Sequence, residues 1–384
     1  IIKSDEILEV LKKSPILTIN ANSNVIISMP SLDGTLKAFQ MFYSPVMPHS
    51  LIKKYPGIKT YTGIGVVNPS ERISVTFSEN KIKGMILGNN GNVFIDHVKG
   101  SKNLYNISKR EIGVPVSHDC IDCESIDIIE RIEVKNSRTT RNFPSCVGED
   151  EPCYVIGDTL VTFRFAGILT SEANNEIGGG NILGGLAWMN AMVNQVNLLW
   201  VRELSFRLEL IEDSDLLIYT NDNPTPEDFT QFNMYDELPL VLNHLNETVG
   251  PGGYNAPIGL LNWEYGAVFN IGYSGGLAYV PGSTSANLPY YEIFNHEIGH
   301  NLGSSHNCTS EGGWRCTFGG TIMCSRSNTL SSSGGDQYSS HTIDIAIKYQ
   351  QEMFGGNAYL YQRGFSRNST DNLPPVVNLP FDFI

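Results

Sequence analysis

Apolar and polar residues alternate through the first third of the chain. Short runs rich in β-branched and aromatic residues are separated there by Pro, Gly, Asn or Ser, a pattern typical of half-buried β-strands. The Asn-Asn-Gly-Asn sequence at 89–92 predicts a hairpin turn. We therefore expect a β-rich antiparallel domain, a sandwich or a curved sheet, over residues 1–106. Its predicted strands are NVIISMP, LKAFQMFYSP, KTYTGIGVV, RISVTFS, KIKGMILG and NVFIDHV.

The pattern changes twice further along the chain. Residues 107–157 show little periodicity, carry four cysteines and include a basic stretch, so we interpret them as a connector. From 158 to 355, strand-like and helix-like runs alternate, which predicts a second domain of mixed structure. Residues 356–384 are polar and contain prolines, and they are expected to lead into a domain absent from this chain.

The second domain is predicted to contain five strands and four helices. One long helix has a single apolar stripe, formed by Leu186, Met189, Val193, Val196 and Trp200, which predicts packing against a sheet. The strands are TLVTFRFAGIL, SFRLELI, DLLIYT, AVFNIGY and GGLAYV; the helices are NILGGLAWMNAMVNQVNLLWVREL, PEDFTQFNMYDELPLVLNHLN (expected to break at Pro239), LPYYEIFNHEIGHNL and SSHTIDIAIKYQQEMF.

Composition narrows the class of protein. The formal net charge of −14 argues against a protein that binds nucleic acid or an anionic membrane, since either would need basic patches. No run of eighteen apolar residues occurs, so we expect no membrane span. Acidic residues are plentiful, but none forms a recognisable calcium loop, so the sequence leaves Ca²⁺ binding open.

The cysteines point to an oxidising compartment. They lie in two clusters, as expected for local disulfide bonds in a secreted protein whose signal peptide has been removed, although reduced core thiols are the alternative. Their number is odd, so pairing six of them would leave one free thiol. They are Cys120, Cys123, Cys146, Cys153, Cys308, Cys316 and Cys324.

The stretch NHEIGHNLGSSH holds three of the eight histidines of the chain. His296 and His300 are four residues apart on a predicted helix, so their side chains project from one face and can bind the same Zn²⁺. Glu297 is placed beside them to reach a water molecule at the metal. Gly303 permits the positive φ of a sharp turn, which can return His306 as a third ligand. Three protein ligands leave one open position, the arrangement of a catalytic zinc site.

The spacing His-Glu-x-x-His-x-x-Gly-x-x-His resembles the elongated zinc motif of the metzincin metallopeptidases. The family has a methionine-bearing turn below the metal, and GGTIMCS supplies a similar turn with Met323. The chain is most similar to secreted bacterial members of the adamalysin/reprolysin group. The resemblance implies an α+β fold with a mixed twisted sheet, an active-site helix and a C-terminal helix, preceded by the β-rich pro-domain. The segment that looks like the substrate-binding rim strand of the family contains Gly275, Gly276, Leu277, Ala278 and Tyr279.

The resemblance implies a secreted zinc endopeptidase that acts on proteins or peptides. One catalytic Zn²⁺ would activate a water molecule, with Glu297 as general base and then general acid. One alternative is an inactive metzincin-like binding or adhesion protein, which would be expected to have lost Glu297 or a ligand. The other is a zinc hydrolase of a non-peptide amide, which would have no use for a rim strand.

The odd cysteine suggests a means of latency. A thiolate is a strong zinc ligand, so a cysteine before the catalytic domain could fill the open position in a zymogen, with the pro-domain as intramolecular inhibitor. We favour Cys123 or Cys120, because Cys146 and Cys153 are close enough to form a local disulfide. The alternative is that all of these cysteines only form disulfides.

Overall fold

The structure is a computed structural model of the 384-residue chain. It describes residues 2–17, 21–88, 91–109, 160–226, 229, 234–252, 262–271, 275–279, 282–304, 308–309, 315–316, 322–323, 346 and 367–368.

The first third folds as one antiparallel sheet beside a short helix, α1 (Ser4–Leu11). All six predicted strands form, and a seventh that the sequence did not indicate completes the sheet. The strands pair in chain order, so the sheet is a meander and not a sandwich. A second short helix, α2 (His49–Lys54), interrupts the predicted strand region. The strands are β1 (Ile26–Pro30), β2 (Leu36–Tyr43), β3 (Lys59–Gly65), β4 (Arg72–Ser78), β5 (Lys81–Leu87), β6 (Val93–His97) and β7 (Tyr105–Ser108).

Both faces of this sheet are buried. Along β5, Ile82 and Ile86 point to one face, where they join a core that includes Leu11 at the end of α1. Met85 and Leu87 point to the opposite face, as the two-residue period of a strand requires. These two residues belong to a different core, which also contains side chains of the second half of the chain. The N-terminal sheet therefore has no separate core on that face.

The second half is built on a mixed sheet with three main helices. Strands β8, β9, β10 and β12 are parallel to one another, whereas β11 pairs antiparallel with β12 at one edge and β15 pairs antiparallel with β8. The α+β fold class expected from the sequence is confirmed. The strands are β8 (Val161–Leu169), β9 (Phe206–Leu210), β10 (Tyr265–Phe269), β11 (Gly276–Ala278), β12 (Thr284–Asn287), β13 (Cys308–Thr309), β14 (Arg315–Cys316) and β15 (Arg367–Asn368); the helices are α3 (Ile182–Leu204), α4 (Met234–Val249) and α5 (Tyr291–Asn301).

Helix α3 packs against both sheets. It contacts β3, β4 and β5 of the N-terminal sheet and β9 of the mixed sheet. The predicted apolar stripe is fully buried, but so are the positions between its members, since every residue from Trp188 to Trp200 is buried. The polar positions Asn194 and Asn197 are thus internal. Their sequence pattern alone would have placed them on an exposed face.

Two element predictions were wrong. The run DLLIYT was predicted to be a strand, but Ser214–Leu217 forms a 3₁₀ turn, followed by a single bridge between Ile218 and Leu169. Helix α4 was expected to break at Pro239, yet it continues through this residue. Pro239 lies in the second turn, where its missing N–H costs only one hydrogen bond. The buried residues Leu238, Val241 and Leu245 hold the helix against its core.

Several predictions fall on residues outside the described ranges. These include the connector at 107–157 from residue 110 onward, almost all of the C-terminal helix expected at 339–354, and most of the tail at 356–384. Among the described residues, no helix has the length and apolar character needed to cross a membrane.

The mixed sheet contains a buried ion pair that provides a test of the fold. The Glu264 side chain is 1% exposed, and its carboxylate accepts from the Arg164 backbone N–H at 2.5 Å and from Nε at 2.8 Å. Glu264→Ala would leave a largely buried guanidinium without this partner, so we expect a loss of about 3–5 kcal/mol in the free energy of unfolding. Urea unfolding measures this loss.

The matched control is Glu6→Ala, which removes the exposed pair between Glu6 and Lys3. Exposed pairs contribute at most about 1 kcal/mol, so this variant should unfold close to the parent protein. Equal effects of the two substitutions would contradict the buried position of the Glu264 pair.

Candidate metal and catalytic site

Helix α5 brings His296 and His300 together on one face. Their Nε2 atoms are 3.1 Å apart, and their ring centroids are 4.8 Å apart with the planes nearly perpendicular. This follows from the i, i+4 spacing, which places both side chains one above the other on the helix. The two nitrogens converge on a single point beside the helix.

Backbone carbonyls hold both rings in this orientation. His296 Nδ1 lies 2.6 Å from the Ile322 carbonyl oxygen, and His300 Nδ1 lies 2.6 Å from the Ser304 carbonyl oxygen. A carbonyl only accepts, so each Nδ1 carries the hydrogen, and in a neutral ring Nε2 then carries the lone pair. Two lone pairs that face each other at 3.1 Å repel, unless a cation binds both of them. The donor set therefore fits a metal ion that prefers nitrogen ligands, such as Zn²⁺.

The burial of His296 favours its neutral form. Removal from water lowers the pKa of His296, and this effect outweighs the hydrogen bond to Ile322, which acts in the opposite direction. A neutral imidazole is the form that binds a metal, because protonation of Nε2 would occupy the lone pair.

The helix ends where the sequence predicts. Gly303 has φ +92°, a left-handed conformation that favours glycine, and its N–H donates to the His300 carbonyl at 2.8 Å. This turn also places the Ser304 carbonyl against the His300 ring. Within the ranges that the structure describes, no group of three or more His, Cys, Asp or Glu side chains could hold a metal ion. The third predicted ligand, His306, lies outside those ranges.

Met323 lies in the core below the two histidines. Met323 and Ile322 are both buried and belong to the core cluster that contains Phe294 and Ile298 of α5. The predicted Met-turn segment thus supports the helix through apolar packing. It also supplies the carbonyl that orients His296, a contact that the sequence could not indicate because every residue has a carbonyl.

The predicted rim segment forms the edge strand β11. Gly275 O accepts from Leu288 N at 3.1 Å, and Tyr279 N donates to Thr284 O at 3.4 Å. Backbone groups alternate in direction along a strand, so those of Gly276 and Ala278 point away from β12, towards the outer edge.

The side chain of Asn301 links the segment of the edge strand β11 to helix α5. Its side-chain amide donates to Tyr279 O and to Thr284 O, both at 3.0 Å. Sequence reasoning missed this residue, although its place directly after the His-Glu-x-x-His segment was visible. The rim strand and α5 are therefore held at a fixed distance from each other.

Glu297 lies against the rim strand. Its side chain is buried, and a Cβ atom added to Gly276 would fall 2.4 Å from Glu297 Cγ and 2.6 Å from Oε1. The absence of a side chain at Gly276 thus leaves the space that the carboxylate occupies. The glutamate follows His296 on α5 and lies against the backbone that we expect a substrate to follow.

The structure does not describe the cysteines that were predicted to bind zinc. Cys120 and Cys123 fall beyond the described residues. Cys308 and Cys316 face each other in register across β13 and β14.

The comparison with known families agrees with this geometry. Residues 180–362 match the model of the metallopeptidase family M12B, reprolysin-like. This segment is similar to the reprolysin-like metallopeptidases. The resemblance inferred from the zinc motif is confirmed for this part of the chain, and metallopeptidases of this family generally use zinc.

Among the solved structures to which the chain is similar is the crystal structure of metalloproteinase-II from Bacteroides fragilis. The two share 11% sequence identity with a TM-score of 0.46, over 91% of this chain and 96% of that chain. No curated protein matches the chain.

The contact between Gly276 and Glu297 predicts a specific loss of peptidase activity. In Gly276→Ala, the easiest relief of the clash is a movement of the flexible carboxyl group, so the fold and the zinc content should be retained. Displacement of a reacting group by about 1 Å can cost about 100-fold in rate, so we expect kcat to fall by about 10–100-fold. Peptide hydrolysis and metal analysis measure the two quantities.

Gly57→Ala is the matched control, because a Cβ atom there meets no atom within 4 Å. It should retain full activity. A folded Gly276→Ala protein with unchanged kcat would show that Glu297 needs no such clearance.

Proposed function

We propose that the chain is a secreted zinc endopeptidase of the metzincin type. His296, His300 and His306 are the proposed metal ligands, and Glu297 is the proposed general base and acid. The observation that carries this proposal is the pair of imidazoles whose Nε2 atoms face each other at 3.1 Å. When bound, zinc would supply a Lewis acid that activates water and stabilises negative charge on the carbonyl oxygen of the substrate.

Glu297 would transfer a proton from the attacking water to the leaving group. Its carboxylate is one residue from His296 on α5 and lies against the rim strand, so it is close to both the metal ligands and the substrate path. From there it can accept a proton from the attacking water and then donate it to the leaving amine. The burial of Glu297 keeps bulk water from competing for this proton.

An extended peptide is the substrate that the rim favours. The backbone groups of Gly276 and Ala278 point outward from β11, so a peptide could add to this edge as a further strand. Main-chain hydrogen bonds of this kind would fix the distance between the scissile bond of the peptide and helix α5. A small non-peptide amide would make no use of these groups.

Latency is a separate part of the proposal. We propose that Cys123 or Cys120 binds the zinc of the unprocessed protein and excludes water. The support is the odd number of cysteines in a chain that otherwise has the composition of a secreted protein.

Glu297→Gln tests the catalytic assignment. The amide cannot accept the proton, so we expect peptide hydrolysis to fall by about 10²–10⁴-fold while zinc remains bound. His300→Gln should instead lose the metal itself. Zinc analysis together with peptide digestion separates these two results.

Glu209→Gln on β9 is the control, since its side chain is 41% exposed. It should behave as the parent protein. Full turnover by zinc-loaded Glu297→Gln would contradict the proposed role. A zinc-loaded parent protein that cleaves no peptide even after limited proteolysis would favour an inactive binding protein.

Cysteine substitutions test the latency proposal. Replacement of the inhibitory thiolate by serine removes a strong ligand, so Cys123→Ser or Cys120→Ser should raise the initial peptidase rate of the unprocessed chain. Cys146→Ser is the comparison, because we expect Cys146 to form a local disulfide. If none of the three variants gains activity or autolysis, no cysteine of this region blocks the metal.

A further inference from the structure

The N-terminal sheet shares its core with the zinc-binding half of the chain. One continuous apolar cluster contains Trp188 and Trp200 of α3 and Phe294 of α5. Seven residues of the N-terminal region belong to the same cluster: Val46, Met47, Leu51, Ile58, Met85, Leu87 and Phe94. Separation of the halves would therefore expose apolar surface on both sides.

Polar groups of the two halves also form hydrogen bonds with each other at this interface. Asn194 of α3 donates to the Tyr61 carbonyl at 3.2 Å and to Thr76 Oγ1 at 3.4 Å. Nearby, Asp215 is 7% exposed and accepts from Tyr55 at 2.8 Å and from Lys54. Each of these bonds joins the two halves, and loss of the N-terminal partner would leave a buried polar group unsatisfied.

The N-terminal region also covers the outer edge of β9. Leu210 N donates to Val46 O at 2.8 Å, and the Arg207 guanidinium donates to Pro45 O. Without these partners the edge strand would be open to pairing with other chains, a common cause of aggregation.

One contact joins the N-terminal sheet to the side of α5 that faces away from the two histidines. Phe94 of β6 packs edge-on against Tyr291, the first residue of α5, with ring centroids 6.0 Å apart. At 3.6 residues per turn, Tyr291 lies about 140° from His296 and about 180° from His300 around the helix axis. The N-terminal sheet thus supports the face of α5 opposite to the metal ligands.

We infer that the N-terminal sheet is a permanent partner of the catalytic half. The surface of α3, the β9 edge and the back of α5 bind residues 2–108 of the same chain, and a cut between the halves leaves them assembled as one two-chain particle. Departure of this sheet is then not the step that activates the protein. The inference does not depend on peptidase activity, because it concerns the association of the two halves.

Cleavage of the full chain tests this inference directly. A recognition site for a specific protease is inserted between residues 110 and 159, the purified protein is cut, and the fragments are separated by size under native conditions. The site is placed before Cys120, so that all seven cysteines lie in one fragment and no disulfide can join the two. We expect both fragments to elute together and to remain together on dilution. Release of the N-terminal fragment in native buffer would overturn the inference.

Variants show whether this surface is the one that holds the fragments. Met85→Asp places a charge in the shared core and should raise the dissociation constant of the cut protein by at least about 100-fold. Asn194→Ala is a milder variant that should still fold, with a rise of about 10-fold. Leu36→Asp, at a β2 position that is 69% exposed, is the control and should change nothing. Unchanged association in both interface variants would assign the contact to another surface and refute the proposed one.

Discussion

The complete burial of the central part of helix α3 is the constraint on which the rest of the structure depends. Between Trp188 and Trp200 the helix makes about three and a half turns without an exposed residue, so it needs partners on every side. The mixed sheet covers one side and the N-terminal sheet another. Because Asn194 and Asn197 are enclosed as well, both sheets must also offer hydrogen-bond partners at fixed positions.

The geometry of the histidine pair depends on this packing arrangement. Helix α5 is fixed by Phe294, which packs against Phe165 of β8 and Phe269 of β10 at centroid distances of 5.2 and 5.0 Å. A helix so fixed can hold two neutral imidazoles close together, since their Nδ1 atoms are committed to backbone carbonyls. The positions of the ligands are thus set by packing on one face of α5 and by hydrogen bonding on the other.

The pairing of the two histidines and the end of the helix could be predicted because they depend on local geometry. The i, i+4 spacing of His296 and His300 fixes their common face in any α-helix, and Gly303 marks the turn by its tolerance of positive φ. Six of the seven strands of the N-terminal sheet were predictable for the same reason, because alternation is a local property. The contribution of Ile322 was not predictable, since its carbonyl is brought to His296 by contacts between residues 26 positions apart.

By itself, the sequence determined most of the elements and their order, the α+β class, the candidate metal ligands and the resemblance to reprolysin-like metallopeptidases. The tertiary structure decided where the polar side of α3 lies, what lies beside Glu297 and which face of α5 the N-terminal sheet supports. The physical reason is that burial depends on partners distant in the chain. An asparagine on a helix has the same local pattern in solvent or under a sheet, and a glycine in a strand does not reveal which carboxylate lies beside it.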